Sequence, residues 1–288
     1  RDYTTLIEAF RKYPNSNLRV YAKYRDYTNG KELPENVYFG NLFAGRSFSD
    51  AYKALREEYY NAIAVLLPID YINDVPNGAT ALILNEMYKE LKKHSDVEIQ
   101  IIHVSDLSLQ YCVGCGSCYK TGACIYKDDV EKLSISIADA DGIILGSPTY
   151  ASNVSAQMKV IIDRGHFVME QLLHGKYAIS VTTYENYGGR DSAKILNKLL
   201  LYSGAKICAS IVLRNRFNKN PMEDIRLKQR IEKLVNSFFG DIVERRRYMI
   251  QSLIHSIIFR MGIQPFVKSK GLEYEGVIKH WKDNNIVC

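Results

Sequence analysis

Residues 141–164 read DGIILGSPTYASNVSAQMKVIIDR. Positions 142–146 form a short apolar run without polar alternation, the pattern of a strand buried on both faces. A polar loop begins at Ser147, and Ser155 then caps a stretch of helical periodicity that continues to about residue 173. A strand, a polar loop and a returning helix make the repeating unit of a parallel sheet covered by helices. The same alternation runs outward in both directions. Upstream, 62–67 is an apolar strand ending at Pro68, 70–78 a loop rich in Asn, Asp, Pro and Gly, 80–94 a helix and 97–104 a strand. Downstream come a strand at 177–183, a helix at 191–202 and a strand at 205–213, while 129–138 supplies a helix before the quoted stretch. From Pro221 a long helical region is expected to reach about residue 260, followed by a tail with the single tryptophan, Trp281. At the front of the chain, 18–22 and 37–39 read as short strands and 47–60 as a serine-capped helix.

Open parallel sheets bind ligands outside the carboxyl ends of their strands, and three loops at that edge carry unusual residues. One holds four of the six cysteines, in the stretch CVGCGSCYKTGAC at 112–124. Short spacings bring sulfurs to one centre, and interior glycines allow the tight backbone that wraps an iron-sulfur cluster or metal ion. A pair of disulfides, or small buried apolar residues, is the plainer alternative. A second loop, 146–155, presents backbone amides and hydroxyls, with Tyr150 able to cover an aromatic face. The third, 182–190, reads TTYENYGGR, and its paired glycines permit close backbone approach to a ligand. Each could be an ordinary surface turn; their alignment on one sheet edge favours a binding site.

Composition bounds the rest. The chain has 288 residues, 47% hydrophobic and 24% charged, enough to bury a substantial core without cross-links. Its net charge of +6 is spread along the sequence and gives no argument for nucleic acid. No run reaches the roughly 18 apolar residues of a membrane span, and the opening Arg1-Asp2-Tyr3-Thr4 does not read as a secretory signal. A cytoplasmic location is expected. The amphipathic stretch 248–263 after the charge run 244–247 suggests a homodimer surface.

Residues 112–129 and 141–164 together resemble the flavodoxin-like NAD(P)H-dependent FMN reductases and iron-sulfur flavoproteins, and the resemblance extends over about 82–288. It implies a flavodoxin-like doubly wound parallel sheet in an α/β fold. It further implies FMN as cofactor, NAD(P)H as electron donor, a 4Fe-4S cluster on Cys112, Cys115, Cys118 and Cys124, and a small-molecule or protein redox partner. Carried over by position, Pro148, Thr149, Tyr150, Asn153 and Val154 are flavin contacts in the second loop, and Thr182, Thr183, Tyr184, Gly188 and Gly189 in the third. No acid-base side chain is required, because the protein chiefly orients and tunes its redox centres. Four thiolates would suit zinc equally in number.

Relatives open with a strand and a Gly-Ser-Pro-Arg type loop that cradles the FMN phosphate. This chain instead offers AVLLPIDYINDVPNGATALI, where Asn77, Gly78 and Thr80 are the phosphate candidates and Asp70 and Asp74 oppose an anion. Residues 2–83 resemble part of the carboxyl-terminal Rossmann-like domain of two-domain retaining glycosyltransferases. The expected organisation is an incomplete Rossmann-like segment at 1–60 and the flavin and iron-sulfur domain at 61–288, with 61–84 as the junction. Two other functions follow if that junction has cost the protein its FMN: a non-catalytic cluster- or metal-binding remnant, or a nucleotide-sugar-binding fragment. His103, His166 and His174 lack partners at ligand spacing and read as structural or surface residues. Asp128 and Asp129 are expected to begin and cap a helix, Asp163 and Arg164 to make structural polar contacts, and Cys208 to pack in the core.

Overall fold

The computed structural model describes residues 62–67, 78–94, 97–217 and 219–286, and the side chains of all of these except 62–67 and Ser105. The expectations for 1–61, for most of the 70–78 loop, Asn77 included, and for Cys288 fall outside the described residues. Ala62–Cys288 forms one compact unit. Its sheet contains β1 (Ala62–Leu67), β2 (Val97–Ile101), β3 (Gly142–Tyr150), the two-residue β4 (Asn153–Val154), β5 (Tyr177–Tyr184) and β6 (Lys206–Arg214). Five strands pair in parallel in the order β2-β1-β3-β5-β6, and β4 folds back antiparallel on the end of β3. The chain leaves β1 toward β2 and then returns to the other side of β1 for β3. That reversal is the switch point at which doubly wound sheets place their ligands. The expected α/β class and flavodoxin-like order are thus present, with residues 62–67 as the central first strand.

Both faces of the sheet are covered, which is why its strands lack alternation. On β3, Ile143 and Leu145 point into one core while Ile144 points into the other. The first face is closed by α3 (Val130–Asp139), α4 (Ala156–Arg164) and α6 (Gly189–Tyr202), the second by α1 (Ala79–Leu91) and α7 (Ile225–Val243). α1 buries Ile83, Leu84, Met87 and Leu91, a stripe at helical spacing. Asp224 caps α7 by accepting from the backbone N–H groups of Arg226 and Leu227. A Cβ at Gly142 would lie 2.6 Å from the Phe238 ring and 2.7 Å from Ile242. Gly142→Val should therefore lower stability by about 1–3 kcal/mol through overpacking, read from the urea midpoint at unchanged m-value.

Two expected helices are interrupted. The stretch 155–173 stops at Arg164, turns through Gly165 and His166 (φ +53°) and resumes as the short α5 (Phe167–Glu170). A Cβ at Gly165 would meet the Phe167 ring at 2.1 Å, so the tight turn depends on glycine. The helical region after Pro221 ends with α7 at Val243, where Arg245 adopts φ +51°. α8 (Met249–Ile258) then passes through a π turn at Phe259–Ile263 into α9 (Gln264–Ser269). Pro265 lacks the N–H that would continue the ladder, which gives the irregular turn a local cause. α10 (Glu275–Asp283) closes a third apolar cluster around Phe259, Val267, Val277 and Trp281.

Candidate functional site

The loops after β3 and β5, and the start of α1, meet at the carboxyl edge of the sheet. Thr80 near the start of α1 and Thr183 at the end of β5 share a buried hydroxyl contact of 2.7 Å. Thr182 donates to the carbonyls of Gly189, at 3.2 Å, and Ile211, at 3.4 Å. These buried threonine side chains thus hold the third loop in place. The third loop also presses on the second: a Cβ at Gly188, whose φ is +83°, would lie 2.6 Å from Ser152. Gly189 in turn packs beneath the Tyr184 ring.

The second loop is a tight turn between β3 and β4. Ala151 and Ser152 take φ values of +50° and +60°, a conformation uncommon outside glycine and asparagine. Strain of this kind is held only where the surroundings impose it, and it clusters at ligand sites. Pro148 and Val154 are buried, Tyr150 and Asn153 exposed, and Asn153 accepts from the Val154 N–H at 2.8 Å. Two hydroxyls stand out. Those of Thr149 and Ser192, the latter near the start of α6, are buried without a hydrogen-bond partner. A buried hydroxyl gains free energy when a partner arrives, so this edge suits a polar, partly aromatic ligand such as FMN. Tyr150 and the exposed Tyr187 are available to a ring face. Ser192 was not anticipated from sequence; its place in the first turn after the paired glycines is the signal by which it was findable.

The cysteine loop follows β2 and has a closed neck. Asp129 accepts from the Ser108 N–H at 2.9 Å and Asp128 from the Gln110 N–H at 2.8 Å, so the two ends of the loop are joined. Asp128 also accepts from the Val130 N–H at 3.3 Å, whereas Asp129 makes no side-chain cap on α3. The expected double cap is thus half realised. Within the loop, Gly114, Gly116 and Gly122 all have positive φ, as a tight wrap requires. α2 (Ser117–Thr121) carries Cys118, the third of the four cysteines, and ends before Cys124. α10 supports the loop from outside: Gly276 lets the Gly122 backbone approach, and Tyr274 stacks on Tyr119 at 4.7 Å.

Arg164, only 2% exposed, is the loop's central anchor. Its guanidinium donates to both Asp128 carboxylate oxygens, to the Gln110 carbonyl at 2.8 Å and to the Cys124 sulfur at 3.1 Å. Burial pushes the Cys124 thiol up, but the Tyr126 N–H and the Arg164 cation outweigh it and hold the pKa below the ordinary cysteine value. His166, two residues on, hydrogen-bonds Cys118 and Glu170. Burial opposes charge on this imidazole, yet those two partners lift its pKa to about 10. Arg164 and His166, expected to be ordinary structural or surface residues, therefore belong to the surroundings of two of the four sulfurs.

The five described cysteines are free thiols, so no disulfide joins them. Cys112 and Cys115 are exposed and Cys118 and Cys124 half-buried. Among the described residues no three His, Cys, Asp or Glu side chains converge on one metal position. The structure thus places the four thiols on one loop without drawing them to a common centre. Their chemistry still suits iron or zinc: all four are thiols, and cationic donors face two of them. Cys208 packs beside the second core as expected, and burial pushes its thiol up to about 11.

Residues 72–218 match a family model described as NADPH-dependent FMN reductase. An iron-sulfur flavoprotein of Clostridioides difficile (strain 630) is 36% identical over 224 residues, covering 76% of this chain and 99% of its own length. One from Archaeoglobus fulgidus is 37% identical over 128 residues, covering 43% of this chain and 56% of its own. RosB, solved with a bound 8-demethyl-8-formylriboflavin-5'-phosphate intermediate, superposes with a TM-score of 0.50 at 13% identity. That superposition covers 74% of this chain and 87% of RosB, and at such identity it speaks to the fold alone. The family match begins at Ile72, ten residues before the point at which the resemblance was expected to start. The glycosyltransferase resemblance of residues 2–83 finds no support among these relatives. With a family match over about half its length and a relative aligned almost end to end, this chain belongs to the NADPH-dependent FMN reductase family of flavin-linked oxidoreductases.

Proposed function

We propose that this chain passes electrons from NAD(P)H, through FMN at the carboxyl edge of the sheet and a 4Fe-4S cluster on Cys112, Cys115, Cys118 and Cys124, to a small-molecule or protein acceptor. The observation that carries the flavin assignment is the buried, unpartnered Thr149 hydroxyl at the end of β3, beside the strained turn into β4. When bound, FMN exchanges a hydride with nicotinamide and electrons with one-electron carriers, and a cluster relays single electrons. The chain's own part is to bind and orient. In this reading Thr149 and Ser192 donate or accept at polar ligand atoms, Tyr150 covers a ring face, and the Gly188-Gly189 backbone approaches the other edge. Gly78 and Thr80, at the start of α1, lie where a phosphate would meet a helix amino terminus. Pro148, Asn153, Val154 and Tyr184 shape the same walls, while Thr182 and Thr183 act through the loop they hold. Arg164 and His166 keep the second pair of cysteines oriented, and Arg164 favours thiolate over thiol at Cys124.

Free thiols in a mixed-charge chain suit a reducing compartment such as the cytoplasm. Among the described residues no helix is long and apolar enough to cross a membrane. The exposed Met249, Ile250, Leu253, Ile257 and Met261 form an apolar stripe along α8 and the π turn, which supports a homodimer.

Anaerobic purification, with quantified FMN, iron, zinc and acid-labile sulfide, tests the proposal. The expected result is about one FMN and about four irons per chain, with flavin absorbance bleached by NADPH or NADH. Cys118→Ser should lose most of the iron while keeping the flavin. Zinc in place of iron would assign the loop to a structural metal. Iron without flavin would leave a cluster-binding protein.

A further inference from the structure

A cavity lies at the opposite, amino-terminal edge of the sheet. It occupies about 650 Å³ between the turns that enter β5 and β6 and the inner side of α8, the π turn and α9. β5 runs from Tyr177 to Tyr184, so at roughly 3.3 Å per residue the two edges are about 23 Å apart. The volume falls in the usual range for small-molecule sites, roughly 300–1,000 Å³.

Its lining is charged on one side of the ledger only. His174, Lys206, His255, Arg260 and Lys268 all face it, and no aspartate or glutamate does. These residues come from three separate parts of the chain. Among the described residues, none of Lys206, Arg260 and Lys268 has a carboxylate within ion-pair distance. The half-buried Lys206 ammonium instead sits 4.4 Å over the Tyr177 ring and donates to its hydroxyl at 3.3 Å. The rings of His174 and His255 are 5.8 Å apart. Burial lowers the pKa of both, helped by Lys206 for His174 and by His174 for His255, and burial lowers Lys206 too. The groups therefore crowd one another without an internal counter-charge.

The walls are well fixed. Gln251 accepts from the Ile207 N–H at 2.8 Å and donates to its carbonyl at 2.9 Å, which pins α8 to β6. His255 is held by Gln171 at 2.6 Å. Arg260 enters the cavity from the π turn, an irregularity frequent at functional sites. Cations clustered in a formed cavity, with no described acid to neutralise them, favour a multiply charged anion in proportion to its charge. We infer that this cavity is a second ligand site, separate from the flavin edge, which binds a small oligophosphate through Lys206, Arg260 and Lys268 with the two histidines beside them.

The test uses the full chain as purified, with its cofactors, and calorimetric titration of inorganic phosphate, pyrophosphate and ATP at constant ionic strength. Pyrophosphate is expected to bind saturably and at least tenfold more tightly than phosphate. ATP tighter still would place a nucleoside in the cavity; ATP equal to pyrophosphate would assign recognition to the phosphates alone. Because Arg260 and Lys268 are exposed, R260E/K268E should fold, keep its FMN and lose at least tenfold in pyrophosphate affinity. Reversing the exposed Lys198 on α6 should leave binding unchanged. The inference is overturned if pyrophosphate shows no saturable binding at millimolar concentration, if K198E weakens binding as much as R260E/K268E, or if R260E/K268E binds like the parent.

Discussion

Arg164→Ala is expected to lower stability by about 3–5 kcal/mol, the usual cost of stranding one member of a buried ion pair. It should also strip the cysteine loop of most of its iron. The pair is deeply enclosed, with the arginine and Asp128 side chains 1% and 8% exposed. Removing the guanidinium leaves Asp128 charged, takes away the donor to the Gln110 carbonyl and frees the Cys124 sulfur. Lysine should rescue only in part, because one ammonium cannot serve a carboxylate, a carbonyl and a sulfur in fixed directions at once. Urea denaturation gives the first number and iron content after anaerobic reconstitution the second. Stability within about 0.5 kcal/mol of the parent, as for an ordinary surface change, with full iron would show that Arg164 is dispensable.

The same ion pair has a pH signature. Burial works to raise the Asp128 carboxyl, but Arg164 and the N–H groups of Gln110 and Val130 outweigh it and hold the pKa below the ordinary carboxylate value. A lowered folded-state pKa gives stability that is present above the unfolded value, about pH 4. That stability is lost as pH falls through the lowered value. The stability gap between the parent and Asp128→Asn should accordingly be flat near neutrality and shrink in acid.

Gly188→Val should abolish most FMN binding while leaving the sheet intact. A valine there must hold φ +83° and place its Cβ 2.6 Å from Ser152, on the turn beside Thr149. The backbone strain costs about 1–2 kcal/mol and the steric push about 1–3 kcal/mol. At 1.4 kcal/mol per factor of ten, a loss of about 2–5 kcal/mol weakens binding by roughly 30-fold or more. Flavin fluorescence titration of apoprotein measures it, and far-ultraviolet circular dichroism checks the fold. Gly240→Ala, at a site with nothing within 4 Å of the new Cβ, should bind FMN like the parent. Equal affinity for both variants would remove the third loop from the flavin site.

Much of this architecture was readable in advance because it depends on near neighbours along the chain. Apolar runs at 142–146 and 177–183 announced strands buried on both faces, and each is a strand within a few residues of the expected ends. The cysteine spacing and its glycines marked a ligand loop, and those glycines do take positive φ. The continuous helices expected at 155–173 and after Pro221 are both broken, the first at Gly165. Gly165 is a weak breaker by propensity alone, and its effect came from Phe167 packing into the space a side chain would need. That break turns Arg164 and His166 toward sulfurs 40 and 48 positions earlier in the sequence.

Periodicity and spacing thus determined the α/β class, the five parallel strands and the cysteine loop, since each is set by contacts within a few residues. Tertiary structure alone decided that Thr80 meets Thr183, that Gly188 presses on Ser152, and that Arg164 closes the neck of the cysteine loop. It alone gathered residues 174, 206, 255, 260 and 268 around one cavity. Such meetings follow from strand order and from which helix covers which face. Those are settled by the packing of the whole core, where no local pattern records the partner.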